Sequence, residues 1–400
     1  MNLLIDFLTA NGRYGAGEYL RRVFFSLVEK IQRDNIENVH LYALYDSKKE
    51  ISFEDLQEKN LKKIIDITFI DLQKTSLLCA IKKYQITLFF IACGQRIGEY
   101  PEIAKAMCKV ICVTHDMLYE EWYSNHIYEH WALNDDKWSN LNWIERTVIH
   151  PLRLFLGYLK NRAYQKPLVY MKAVETMIKS NPYAICITVS EYTKKTIVYN
   201  LDISANKVQV FYSPEKISSK SDFIQNEQLK KIVESRKKFI LLLSTDRACK
   251  NADKAIRAFR KFNKLNPIFI LLAIGKKKEC ENGIVYTDYL SDSDFTHAAQ
   301  NCHALVYPTY FEGFGYPPLE VMKYGKPVLC SNTTSIPEIL GDAPIYFSPL
   351  YESAIFDALI RFKDSDYSSL SQKSLNQSIL VQKKQKDDLD RLVSLILKQD

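Results

Sequence analysis

Residues 311–320 read Phe311-Glu312-Gly313-Phe314-Gly315-Tyr316-Pro317-Pro318-Leu319-Glu320. An apolar run at 304–310 precedes them and a helical pattern follows. The stretch predicts a strand, a tight glycine turn and a helix. Proline suits a helix's first turn, where its missing N–H costs nothing. Glycine lets the backbone come close to a ligand. Glu312 then sits in the turn and Glu320 in the opening turns of the helix, facing the same cleft. Free amide N–H groups at that helix start point at an anion. Two hydroxyl-binding carboxylates beside a phosphate cradle describe a site for a sugar nucleotide.

Working outward, apolar runs alternate with helical patterns along the whole chain. Candidate strands are 3–7, 40–45, 64–70, 86–92, 110–114, 184–189 and 208–212 in the first half. In the second half they are 239–243, 268–274, 284–286, 304–307, 328–330 and 345–347. Tyr19, Val23, Leu27 and Ile31 recur at helical spacing and mark the first crossover helix. Continuous apolar strands alternating with helices imply parallel, doubly wound sheets. The turn-rich stretch 213–225 separates the halves. The expected organisation is an N-terminal domain over 1–213, a linker over 214–236, a C-terminal domain over 237–375 and a terminal helix over 376–400 that packs back on the N-terminal domain. After Leu350 the pattern is helical, with an interruption expected in the serine-rich segment 365–378.

The 400 residues supply enough material for two cores. A hydrophobic fraction of 47% and a charged fraction of 25% are those of an ordinary globular protein. No apolar run reaches transmembrane length, and the N-terminus lacks the pattern of a signal peptide. The nine cysteines include no C-x-x-C. Cys79, Cys93, Cys112, Cys186 and Cys330 lie in apolar runs and are expected to be buried thiols of a reducing cytosol. A net charge of +7 admits an anionic membrane surface as partner but is too mild to imply nucleic acid. Only 12 glycines occur, and they concentrate at two places: Gly12, Gly15 and Gly17, and the neighbourhood of Gly313, Gly315, Gly325 and Gly341.

From Glu312 to Pro349 the sequence resembles the donor-binding region of family 4 retaining glycosyltransferases, the glycosyl transferases group 1. The string runs Glu312-Gly-Phe-Gly-Tyr-Pro-Pro-Leu-Glu-Val-Met-Lys-Tyr-Gly-Lys-Pro-Val-Leu-Cys-Ser-Asn and continues through Ser335-Ile-Pro-Glu-Ile-Leu-Gly-Asp-Ala343. The resemblance implies the GT-B fold: two Rossmann-like, doubly wound parallel-sheet domains facing across a cleft. It assigns Glu312 to the hydroxyls of the transferred sugar and Glu320 to the ribose. It assigns the amides of Phe314, Gly315 and Tyr316 to the sugar and diphosphate. Ser244-Thr-Asp-Arg-Ala-Cys-Lys-Asn251 follows a strand where the family carries a glycine, often an arginine, and a phosphate-gripping lysine. Lys250 and Asn251 match. Ser244 stands in the glycine's place, Thr245 and Cys249 stand where basic partners are usual, and Arg247 is the candidate substitute. A fixed cation there stabilises the charge that gathers on the leaving diphosphate.

Gly12-Arg-Tyr-Gly15-Ala-Gly17-Glu18 resembles the family's N-terminal glycine loop. His115 and Asp116, at a strand's carboxyl end, match its His-Asp pair, with the histidine near the sugar's C6 hydroxyl. Ser190-Glu-Tyr-Thr reads as a helix cap. Asp292-Ser-Asp294 reads as a cap with first-turn acids rather than a metal motif, and the resemblance places neighbouring Leu290 near the nucleotide base. His126 and His130 lack further ligands nearby in sequence. The basic, apolar stretch 144–177 reads as packed helices with snorkelling cations, or as a membrane-touching surface.

The expectation is a metal-independent retaining hexosyltransferase without a cofactor. A mannose-like sugar is favoured, carried on a GDP- or UDP-sugar donor. The acceptor is a glycan or lipid-linked glycan of cell-surface polysaccharide biosynthesis, lipopolysaccharide or capsule. The expected location is cytoplasmic, peripheral on the inner face of the plasma membrane. A GT-B sugar-nucleotide epimerase and a catalytically silent GT-B scaffold are the rival readings.

Overall fold

The computed structural model describes residues 1–11, 15–94, 102–103, 108–118, 121, 166–216, 223–275 and 278–398. His126, His130, Gly12 and residues 144–165 of the basic, apolar stretch lie outside the described residues. Two compact units emerge. Among the described residues, the first takes those up to Glu121, those between Tyr158 and Ile217, and those from Lys383 on. The second takes those from Ser218 to Gln382.

The first unit is built on strands β1 (Asn2–Asp6), β2 (His40–Tyr45), β3 (Ile67–Asp71), β4 (Leu88–Ile91), β5 (Lys109–Thr114), β6 (Ala184–Thr188) and β7 (Val208–Val210). They form one sheet in the order β3-β2-β1-β4-β5-β6-β7, and every pairing is parallel. The second unit uses β8 (Phe239–Leu242), β9 (Ile270–Gly275), β10 (Ile284–Asp288), β11 (Ala304–Tyr307), β12 (Val328–Ser331) and β13 (Ile345–Phe347). Its order is β10-β9-β8-β11-β12-β13, again all parallel. β4, β8, β11 and β12 are buried along their whole length, as strands covered by helices on both faces must be.

In each sheet the first strand lies between the second and the fourth, so the winding reverses beside it. In doubly wound sheets ligands bind at the carboxyl ends of the strands flanking that reversal. In the second unit these strands are β8 and β11. One leads into the loop carrying Lys250 and the other into the turn carrying Glu312. In the first unit they are β1, which leads toward the glycine cluster, and β4.

Several sequence-based boundaries shift. Residues 64–66 are not strand: Ile64 and Ile65 close a turn on the carbonyl of Leu61, and Ile64 is exposed. The span 214–236 is not all linker, since Glu227–Glu234 is a helix that buries Leu229 and Ile232. The C-terminal pattern breaks only at the start of the serine-rich segment: Ser365 caps the helix Glu352–Asp364, and a second helix then runs unbroken over Tyr367–Leu397 rather than starting at 376. Small side chains permit this. A Cβ on Gly325 would meet the Ser371 hydroxyl at 2.9 Å, so serine and glycine together allow close approach, and Gln377 donates to the carbonyl of Ile339 at 2.8 Å. The residues of this helix up to Gln382 count with the second unit and those from Lys383 with the first. There, buried Asp388 accepts the amide of Tyr212 at 2.9 Å, and Gln385 donates to the carbonyl of Ser213 at 2.6 Å. Cys112, Cys186 and Cys330 are buried, but Cys79 is exposed and Cys93 half-buried.

Asp294 is more than a first-turn acid of its helix. Ser291 is the N-cap of Asp292–Asn301 and accepts the amide of Asp294 at 3.1 Å. The buried Asp294 carboxylate in turn accepts the amides of Gln225 and Asn226 at 2.8 and 3.1 Å, anchoring the segment that enters the second unit. Asp294→Ala orphans both amides and is expected to cost about 2–3 kcal/mol in urea denaturation. Exposed Asp292→Ala costs under ~1 kcal/mol. Equal losses in the two variants would contradict the anchoring role.

Candidate functional site

The loop between β8 and the helix Ala252–Leu265 presents Lys250 through two left-handed residues, Ser244 (φ 55) and Asn251 (φ 54). Glycine adopts that conformation without strain, which explains why a glycine suits position 244. Asn251 is buried, and its amide donates to the carbonyls of Pro308 and Pro349 at 3.1 and 2.9 Å. The amide of Tyr310 donates to Cys249 at 2.8 Å. These bonds fasten the Lys250 loop to the segment that follows β11.

That segment is shaped by Gly315, the N-cap of the helix Tyr316–Met322, at φ 94. A Cβ there would lie 2.7 Å from the terminal Cδ1 of Ile336, which can shift, so it is the conformation at φ 94 that favours glycine. Pro317 and Pro318 occupy the first turn of the helix and partly exposed Glu320 the turn after it. The Glu312 amide donates to Thr334 Oγ1 at 3.1 Å, and Ser335 Oγ donates to the Glu312 carbonyl at 3.0 Å. Phe314 and Tyr316 meet edge to face at 5.4 Å.

The two loops bring Lys250 and Glu312 into an ion pair. Lys250 is 8% exposed. Its ammonium also donates to the Tyr307 hydroxyl at 2.8 Å, and that hydroxyl donates to Glu312 Oε1 at 2.6 Å. Thr309 Oγ1 lies 3.1 Å from the same oxygen. Burial first, then the charge of Glu312, pushes the Tyr307 phenol far above the usual tyrosine range. Arg247 is within electrostatic reach: burial pulls its guanidinium down, while Cys249, Glu312 and Tyr307 raise it on balance. Leu290 is half-buried in the loop after β10. Beside it, the Tyr289 hydroxyl donates to Asp246 at 2.6 Å, tying that loop to the Lys250 loop.

Tyr307 was absent from the sequence-derived site. The usable signal was a tyrosine closing a fully apolar strand, because a buried phenol must find a hydrogen-bond partner.

In the first unit, exposed Gly15 opens the helix Gly15–Arg33 and Gly17 is buried in its first turn. Tyr19 of that helix meets the His115 ring edge to face at 5.0 Å, so the glycine segment and the strand-end histidine adjoin. His115 Nε2 bonds the carbonyl of Ala92 at 2.8 Å. Asp116 Oδ1 accepts the amide of Leu118 at 3.1 Å, turning the chain after β5. Ser190 caps its helix by accepting the amide of Thr193 at 3.1 Å. Among the described residues, no group of three or more His, Cys, Asp and Glu side chains is placed to hold a metal ion. No described helix is long and apolar enough to cross a membrane.

Burial lowers the His115 imidazole from 6.5 to about 4, against the raising effect of its bond to Ala92. The unfolded chain therefore binds this proton more readily, and stability falls as pH drops from about 6.5 toward about 4. In denaturant titrations across that window, His115→Gln should lose less stability than wild type. Parallel curves would contradict the burial of a neutral imidazole.

Residues 224–374 match the family Glycosyl transferases group 1. Over 86 residues the chain is 40% identical to O-antigen chain mannosyltransferase B of Escherichia coli, covering 22% of this chain and 23% of that protein. It is 25% identical over 242 residues to O-antigen chain mannosyltransferase RfbU of Salmonella typhimurium, covering 54% and 63%. The chain thus spans less than two thirds of the length of each of these relatives. HepE of Anabaena, solved with UDP and glucose, superposes with a TM-score of 0.65 at 13% identity, over 98% of this chain and 100% of that one. With the winding of both sheets and the loops that hold Lys250 and Glu312, these likenesses establish the fold as GT-B and residues 224–374 as a glycosyl transferases group 1 domain.

Proposed function

We propose that this chain is a retaining, metal-independent mannosyltransferase that uses a GDP- or UDP-sugar to extend a glycan or lipid-linked glycan in cell-surface polysaccharide synthesis. The observation that carries the reading is the Lys250–Tyr307–Glu312 constellation at the β8/β11 reversal. The mannosyltransferases of Escherichia coli and Salmonella typhimurium that resemble this chain support the sugar, and the UDP of HepE supports a nucleoside diphosphate.

In this reading Lys250, assisted by Arg247, binds the diphosphate, and Glu312 holds hydroxyls of the sugar. The amides of Phe314, Gly315 and Tyr316 cradle sugar and diphosphate, Glu320 takes the ribose, and Leu290 lies against the base. Within the first unit, Gly12, Gly15 and Gly17 are proposed as its phosphate loop, and His115 and Asp116 as its sugar and acceptor residues. Retention follows from front-face attack. The acceptor oxygen bonds the anomeric carbon on the face from which the diphosphate departs, and the departing phosphate oxygen takes the acceptor's proton. Such a reaction needs position and charge stabilisation more than a strong base. The protein acts on the cytoplasmic side, at the inner membrane surface where lipid-linked acceptors are presented.

Thermal-shift titrations with UDP-, GDP-, ADP-, CMP- and dTDP-sugars identify the donor, since binding to the native state raises its stability. With that donor, Glu312→Ala and Lys250→Ala should each cost about 2.7–4 kcal/mol of transition-state stabilisation. Turnover at the wild-type rate in both would sink the assignment. Sugar isomerisation without an acceptor would point to an epimerase, and no shift with any nucleotide to a silent scaffold.

A further inference from the structure

We infer that Tyr307 is a positioning residue: its hydroxyl keeps the Glu312 carboxylate in place while Lys250 moves from that carboxylate to the diphosphate of an arriving donor. The inference rests on the function proposed above and adds to it a residue with a defined task.

Proton directions make the argument. An ammonium can only donate, and a carboxylate can only accept. The Tyr307 hydroxyl lies 2.8 Å from Lys250 Nζ and 2.6 Å from Glu312 Oε1. It must therefore accept from the lysine, and its single proton is directed at the glutamate. The phenol's strongly raised pKa keeps that proton in place. The ring is 2% exposed and closes β11, so the hydroxyl has no freedom to follow a moving partner.

Lys250, Tyr307 and Thr309 all converge on Oε1 of Glu312. A diphosphate carries more negative charge than a carboxylate and competes for the same ammonium. When Lys250 leaves, Glu312, whose side chain is 13% exposed, loses its counter-charge in a poorly hydrated place. A buried carboxylate left without a partner is unfavourable and would turn away. The Thr309 hydroxyl cannot hold it alone. It has one proton and lies 3.1 Å from Glu312 Oε1, 3.0 Å from the Phe311 carbonyl and 3.2 Å from that of Cys249. Tyr307 is the donor committed to Glu312.

The test is Tyr307→Phe, which keeps the ring and removes the hydroxyl. Losing a hydrogen bond to a charged group predicts a fall in kcat of about 10- to 100-fold. Donor KM should change less than ~3-fold, because Lys250 is intact. In a Glu312→Ala background the same substitution should have no further effect on kcat, whereas a merely structural role would lower both backgrounds alike. A kcat within ~2-fold of wild type, or equal falls in both backgrounds, overturns the inference. Crystal structures of Tyr307→Phe with GDP and with UDP give a reading independent of turnover. Glu312 displaced from its wild-type position supports the inference, and Glu312 unmoved refutes it. Absent transfer by the wild type would defeat the proposed function, while these structures would still decide the role of Tyr307.

Discussion

Two opposite charges, Lys250 and Glu312, are held nearly out of water where the winding of the second sheet reverses. Burying such a pair is costly, and its attraction offsets the cost only when the remaining lone pairs and protons are satisfied. Tyr307 supplies that satisfaction by accepting from one partner and donating to the other. Much of the surrounding backbone is arranged to keep the pair in register. Asn251 pins the lysine loop to the carbonyls of Pro308 and Pro349. Thr334 and Ser335 grip the amide and the carbonyl of Glu312. The site is thus positioned by hydrogen bonds between loops, on strands whose cores are wholly apolar.

Among the described residues eight non-glycine positions sit at positive φ; Ser244, Asn251 and Thr334 lie in the loops around the ion pair, and the other five lie in turns elsewhere. Non-glycine residues in that region are strained, and strain persists only where the surroundings over-determine it. Gly315, at φ 94, takes the turn after Glu312 without that strain. The first unit uses a milder device. His115 is kept neutral by burial, seated between the Ala92 carbonyl and the Tyr19 ring, beside the glycine-rich start of the first long helix.

All thirteen strands among the described residues were legible in the sequence because each is a short apolar run bounded by polar or turn residues, the signature of a parallel sheet covered on both faces. Errors fell where packing overrides local pattern. Ile64 looked like strand but lies exposed in a turn. The break expected over 365–378 is confined to Ser365 and Asp366, and Ser374 and Ser378 are buried within the continuous helix that follows. Serine is a modest helix former, and its small size is what lets this helix lie against Gly325.

By itself, the sequence determined the two doubly wound units and the turn that places Glu312, because hydrophobic period and glycine position are local properties. Lys250 was singled out by the resemblance of residues 244–251 to the glycosyl transferases group 1 pattern. The tertiary structure alone decided that Lys250 and Glu312, 62 residues apart, form an ion pair, and that Tyr307 lies between them. It also brought His115 to the helix of the glycine cluster and Asp294 to the linker amides. Such partnerships arise from how separate loops converge at the ends of paired strands, and no local pattern of residues carries that convergence.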